Sequence, residues 1–276
     1  MDTRNLGIMI PTLNRSRFVV RQLSYYETHG FGGTVYIGDQ SNSGDHFRFV
    51  AEWVNRSSLH VHHVDYRERS WWDVYCGLPD QVTEPYVTCR ADDDFVVMDG
   101  AREALRLIGR TDGGIVGPEW YAHHKGRWAT LRTLGYLERS LHGSPESRLR
   151  TFKAGFFPVL YGVWPLELVR AALRKGPSHS MRAHEWESSC ALVAQAQCSL
   201  METPLGVRVS HPGQISRTAD EPRSWHQWLD DHLPVLVRWG AERRGEIPPE
   251  CVREVLWLLK RNPISRNNYE ACAKLT

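Results

Sequence analysis

Tyr86-Val87-Thr88-Cys89-Arg90-Ala91-Asp92-Asp93-Asp94-Phe95 is the stretch on which the reading of the chain turns. A short apolar run, the length of a buried strand, opens into three consecutive carboxylates. Carboxylates packed side by side repel one another unless a cation lies among them. The carboxyl ends of parallel strands are where open α/β sheets bind ligands. Hard oxygen ligands suit Mg2+ or Mn2+ better than zinc. Taken alone, the triplet could be a solvated acidic turn or a helix cap. The strand in front of it favours a metal–ligand role.

On either side of this stretch, apolar runs and helical spacings alternate. Residues 6–10 read as a buried strand ended by Pro11, with Asn14 and Ser16 as candidate helix caps. Phe18, Val19, Leu23 and Tyr26 then recur at helical spacing. Residues 35–37 form a second strand that ends in the polar loop Gly38-Asp39-Gln40-Ser41. Helices are expected over 47–54, 70–82 and 98–108, and strands over 60–64, 86–89 and 115–116. The middle, 119–147, has no clear period and reads as loops and short strands. Beyond it come a strand over 156–161, helices over 166–174 and 185–200, and a last strand over 204–210. This alternation predicts an α/β fold with a mixed, mainly parallel sheet flanked by helices. Amphipathic stretches at 225–239 and 250–261 divide the chain into a main domain, 1–215, and a C-terminal helical extension, 216–276.

Composition narrows the function classes. The chain has 276 residues, 41% of them hydrophobic, with a net charge of +2, which excludes a disordered polymer and gives no support to a strongly basic nucleic-acid binder. Six cysteines occur with no C-x-x-C pair, as in a reduced, cytoplasmic protein. The first residues lack the apolar core of a signal peptide. The longest apolar stretch, 154–169, is broken by Gly155, Pro158, Gly162 and Pro165, so no transmembrane segment is expected. Peripheral contact with a membrane stays open. Eleven Trp are an excess that both packing and flat-ligand platforms could use.

Further candidates lie in four places. The loops Pro11-Thr12-Leu13-Asn14-Arg15 and Gly38-Asp39-Gln40-Ser41 share a sheet edge with the Asp triplet, where Asp39 could accept from a nucleobase or ribose and Arg15 could meet a phosphate. His184-Glu185-Trp186-Glu187 opens a helix. Residues 185 and 187 stand about 200° apart on such a helix, so only one of the two acids can face a given site. His211 follows the last strand, and His123, His124, Arg127 and Trp128 lie in the irregular middle. His60, His62 and His63 sit on a strand, where packing is the simpler role.

Pro11-Thr12-Leu13-Asn14-Arg15, Tyr36-Ile37-Gly38-Asp39-Gln40-Ser41 and Ala91-Asp92-Asp93-Asp94-Phe95 together resemble the opening of GT-A (Rossmann-like) glycosyltransferases, near the inverting family 2, over about residues 5–215. The triplet followed by Phe, with the later Phe157–Val163 segment, is similar to a bacterial branch of that fold. The resemblance implies that Pro11, Thr12, Arg15, Asp39, Asp92 and Asp93 contact the nucleotide. It implies that Asp92 and Asp94 form the D-x-D pair, Asp94 being the direct ligand of Mn2+ or Mg2+, with His211 added late. Glu185 takes the position of the catalytic base. Two departures stand out. The second strand ends in Gly38-Asp39 where the family has two Asp, and the usual D-x-D-D register would put Ala91 at the first Asp.

The activity implied by the resemblance is transfer of a sugar from a nucleotide-diphosphate sugar, a UDP-sugar first among donors, to an acceptor hydroxyl with inversion. The acceptor could be a glycan, a lipid-linked or small molecule, or a hydroxymethylated base of nucleic acid. A catalytically inactive nucleotide-sugar-binding module is the alternative from another class. Trp120, Trp128 and Trp186 are the candidate platform for acceptor or sugar, because sugar rings present C–H faces that stack on indole.

Overall fold

The computed structural model describes residues 2–123, 128–132, 140–153, 159–173 and 181–210. The expected C-terminal extension, 216–276, and His211 lie outside the described residues, as do His124 and Arg127.

The first half of the chain is a run of βα units. Strands β1 (Leu6–Thr12), β2 (Thr34–Asp39) and β3 (His60–Asp65) alternate with helices α1 (Ser16–Thr28), α2 (Gly44–Val54) and α3 (Trp71–Gln81), and β4 (Tyr86–Cys89) comes next. Strand β1 is buried at six of its seven positions, as expected for a parallel strand covered on both faces. The four strands are parallel in the order β3-β2-β1-β4. Register sets Thr12, Asp39 and Asp65 side by side at their carboxyl ends.

The remaining elements close the two flanks. They are β5 (Phe95–Val96), α4 (Met98–Ile108), β6 (Gly114–Val116), β7 (Glu119–His123), β8 (Trp128–Arg132), α5 (Pro145–Lys153), β9 (Trp164–Pro165), α6 (Leu166–Ala172), α7 (Met181–Gln195), β10 (Cys198–Leu200) and β11 (Gly206–Ser210). Strand β9 adds to β4 antiparallel, and a second sheet runs β5-β11-β7-β8. The pleat of β1 divides the core. Leu6, Ile8 and Ile10 face a cluster with Val19, Leu23 and Ala101, whereas Met9 faces one with Leu78, Val169 and Leu192.

Three local expectations are corrected. Neither Asn14 nor Ser16 caps α1; the N-cap is Arg15, with no side-chain bond. Asn14 instead adopts a positive φ, takes its backbone N–H to Ser41 Oγ (3.0 Å) and accepts from Asn42 N (2.9 Å), so it ties the first loop to the second. The long helix begins at Met181 and ends at Gln195, and 198–200 form a strand paired with β6. Residues 159–161 are a 3-10 turn, not a strand. By contrast, α3 starts after Ser70, where Ser70 and Asp73 form a reciprocal capping box.

Gly38 explains the missing carboxylate of the second loop. A Cβ there would overlap Val74 Cγ1 of α3. We expect Gly38→Ala to destabilise the fold by about 1–3 kcal/mol through overpacking. The companion Val74→Ala should relieve part of that cost, read as non-additivity in denaturant unfolding. A neutral Gly38→Ala, or strict additivity of the pair, would remove this explanation.

Candidate active site

The loop after β4 holds the three carboxylates. Asp92, Asp93 and Asp94 are 4%, 3% and 6% exposed. The loop turns on a bond from Asp94 N to Ala91 O, and α1 fastens it from outside. Gln22 Nε2 donates to Ala91 O and to Asp94 O, and Arg21 Nη2 donates to Asp93 O.

Asp92 is the centre of a buried network. Thr12 Oγ1 donates to its Oδ2 (2.8 Å) and Arg15 Nη1 to its Oδ1 (2.6 Å). Arg15 Nη2 lies 3.2 Å from Asp93 Oδ2. The charge balance that three adjacent acids demand is therefore met in part inside the chain, by Arg15. Burial pushes the Asp92 carboxyl up to about 6, and neighbouring Asp93 adds to the rise against the pull of Arg15 and Thr12. Of the nucleotide residues expected from sequence, Thr12, Arg15, Asp92 and Asp93 thus form one contact group, and Pro11 precedes it on β1.

Asp39 stands beside that group, one strand over. It is 1% exposed. Its Oδ1 accepts from Ser41 N (2.8 Å) and its Oδ2 from His63 Nε2 (3.0 Å). Burial acts to raise its carboxyl, but the bonds from His63 and Ser41 prevail and hold it below the ordinary range. His63, expected to serve packing only, is a partner of a candidate site residue.

On the other side of the triplet, Glu185 lies in the second turn of α7 and is partly buried. The N-terminal helix-dipole effect, which fades after the first turn, is weaker there than a helix starting at 185 would give. Burial raises the Tyr75 and Tyr161 phenols far above their ordinary value, and Glu185 and Asp94 contribute to both shifts. Burial likewise lifts the Cys89 thiol to about 12, with Glu185 adding to it. Glu185 and the carboxylate loop therefore act on the same pair of phenols. Around Tyr161, Arg90 and Arg208 approach the ring at 5.5 and 4.5 Å. Both arginines pair with Glu119, Arg208 Nε at 2.7 Å, and Arg90 Nη2 donates to Tyr161 O (2.9 Å). Despite its burial, Glu119 is held below the usual range by these two cations.

Tyr75, Tyr161, Arg90, Glu119 and Arg208 are not singled out by the sequence pattern. Arg90 carries a signal there: a cation wedged between an apolar strand and an acidic triplet. Glu119 and Arg208 carry none, because their pairing joins strands about 90 residues apart. At the start of α3, Trp71 and Trp72 stack at 4.4 Å and Tyr75 meets Trp71 edge-on at 5.7 Å. Of the expected platform, Trp120 lies on β7, opposite Val207 of β11, Trp128 lies on β8, and Trp186 comes after Glu185 on α7.

Among the described residues no group of three His, Cys, Asp or Glu side chains is gathered as a complete metal site. Asp92 and Asp94 offer two hard oxygen donors at a strand end. That set fits a divalent cation whose remaining ligands are diphosphate oxygens and water, the usual pattern for Mg2+ at phosphates. Among the described residues no helix is long and apolar enough to cross a membrane.

The raised Asp92 value has a definite sign. Between the ordinary Asp value near 4 and about 6, the folded chain keeps a proton that the unfolded chain releases. Stability contributed at this site therefore falls as pH rises through that window. In metal-free protein we expect Asp92→Asn to flatten the slope of unfolding free energy between about pH 4 and about pH 6. An unchanged slope in urea titrations across that range would assign the titration to another group.

No protein-family model matches the chain, and no curated protein matches it in sequence. Solved structures do match it in shape. S. aureus TarS 1–349 in complex with UDP-GlcNAc superimposes with a TM-score of 0.63 at 12% identity, covering 93% of this chain and 70% of that one. The longer S. aureus TarS structure gives 0.56 at 13% identity, over 98% and 55% of the two chains. The mannosyltransferase PcManGT from Pyrobaculum calidifontis, in complex with GDP-Man and Mn2+, gives 0.52 at 15% identity, over 100% and 76%. At these identities the likeness is one of fold, and the fold is the mixed α/β GT-A type.

Proposed function

We propose that the protein is a metal-dependent glycosyltransferase that moves a sugar from a nucleotide-diphosphate sugar to an acceptor hydroxyl. One observation carries this reading: a single sheet edge gathers Thr12, Arg15, Asp39 and the Asp92–Asp94 loop. The neighbours support it by their ligands, UDP-GlcNAc in TarS and GDP-Man with Mn2+ in PcManGT.

In this reading the nucleotide lies over the ends of β1 and β2. Asp39, an acceptor-only group when ionised, takes a nucleobase N–H, which suits uracil and favours a UDP-sugar. Pro11 and Thr12 border the nucleotide, with Asp92 and Asp93 beside it. Arg15 exchanges part of its bond to the acids for a phosphate oxygen, which a planar guanidinium accommodates. Bound Mn2+ or Mg2+, held by Asp94 and Asp92 with His211 as a further ligand, would neutralise charge on the departing diphosphate. Glu185 accepts the acceptor's proton as its oxygen forms the new bond on the face away from the leaving group, which gives inversion. The Tyr75 and Tyr161 phenols stay protonated beside Glu185 and can donate to a sugar or phosphate oxygen. Trp120, Trp128 and Trp186 supply faces for a sugar ring.

Asp94→Ala should lower Mn2+-dependent transfer from a UDP-sugar by about 100-fold or more, as loss of a charge-stabilising group does. Turnover equal to wild type with Mn2+ would exclude Asp94 as the ligand. Glu185→Gln should leave donor binding intact while kcat drops by about 10²–10⁴, the usual weight of a general base. Near-normal turnover by that variant would move the base elsewhere.

A further inference from the structure

The Asp39–His63 pair is built with more parts than strand packing needs. His63 lies on β3, the edge strand of the sheet, and its side chain is 7% exposed. Phe47 of α2 stacks on the imidazole at 4.1 Å with 19° between planes. The Arg67 guanidinium covers the Phe47 ring at 5.2 Å and pairs with Asp65. The ring is thus fixed in plane, with Nε2 at 3.0 Å from Asp39 Oδ2.

The other ring nitrogen has the opposite fate. Among the described residues, His63 Nδ1 is buried with no hydrogen-bond partner. An orphaned buried polar atom costs folding free energy. An open cleft of about 610 Å3 adjoins the ring, lined by Phe47, Ala51, Val54 and Val61 together with the polar Thr34, Asn55, His60 and His62. Among the described residues the imidazole's hydrogen bond goes to Asp39.

That contact has a chemical consequence. With Nε2–H donating, Asp39 keeps its negative charge and accepts only. Ser41 N takes one side of Oδ1 and His63 takes one side of Oδ2, so the carboxylate cannot rotate. Uracil N3 and guanine N1 carry a hydrogen for such an acceptor. The corresponding ring nitrogens of cytosine and adenine carry a lone pair that it repels.

We propose that His63, held under the Phe47 ring, is a positioning residue for donor recognition: by fixing Asp39 as an anionic acceptor, it makes the site select nucleobases with a ring N–H. The inference rests on the donor-site reading given under the proposed function.

The test is calorimetric binding of UDP, GDP and CDP with Mn2+ to the full chain, as wild type, His63→Leu and His63→Gln, with thermal unfolding of each. Wild type should bind UDP or GDP at least about tenfold more tightly than CDP, about 1.4 kcal/mol. His63→Leu should lose about tenfold in affinity for the preferred nucleotide and bring its ratio to CDP near one, and its Tm should fall, because the buried Asp39 carboxylate is left short of a donor. His63→Gln, whose amide can still donate to Asp39, should recover affinity to within about threefold. In turnover the loss should fall on donor KM rather than kcat. Unchanged affinity and base preference in His63→Leu would overturn the proposal. So would equal losses for UDP and CDP, the signature of a purely structural role. If wild type bound none of the three, the donor-site reading would fail, and this inference with it.

Discussion

The guanidinium of Arg15, set between Asp92 and Asp93, holds the site together. It lies at 2.6 Å from one carboxylate and 3.2 Å from the other. Three almost fully buried acids in sequence could not share a loop without a compensating cation. Arg15 supplies that charge from the start of α1, and Thr12 supplies a neutral donor from the end of β1. The same contacts pin the loop after β4 to the first βα turn. Two ionic contacts of one side chain thus join the first βα turn to the acidic loop. Arg21 adds a second positive charge that acts on Asp93 and Asp94, and burial still pushes Asp92 toward about 6.

A second charge system mirrors the first. Glu119 sits between Arg90 and Arg208, and the three together carry one positive charge beside Tyr161. Removing either arginine would leave Glu119 buried and half compensated, which is costly. The basic group lies against Tyr161, and the charges of Glu185 and Asp94 help to keep both Tyr75 and Tyr161 protonated. Such an arrangement has an anion-accepting side and a proton-accepting side, as a displacement at a sugar carbon requires.

Much of the fold is legible in the sequence because it rests on local signals. Buried strands are written as unbroken apolar runs, and α3 marks its start with Ser70 and Asp73. The Asp triplet and the loops at 11–15 and 38–41 are visible as polar residues placed directly after strands. What escapes depends on tertiary contact. Asn14 looks like a cap in sequence but bridges two loops in space. His63 reads as one of three strand histidines, and only register with Asp39's strand singles it out. Gly38, a missing carboxylate in sequence, is a steric demand of Val74. The helix that carries Glu185 begins four residues earlier than its pattern indicates.

In the proposed enzyme a nucleotide diphosphate and a divalent cation meet at Asp94, over the ends of β1, β2 and β4. Mn2+ binding followed by electron paramagnetic resonance, with and without UDP, probes that meeting point itself. Two protein carboxylates hold a hard cation loosely, and diphosphate oxygens complete its shell. Mn2+ affinity should therefore rise at least about tenfold when UDP is present, by the reciprocity of linked binding. An Mn2+ affinity indifferent to UDP would contradict a shared site for the two.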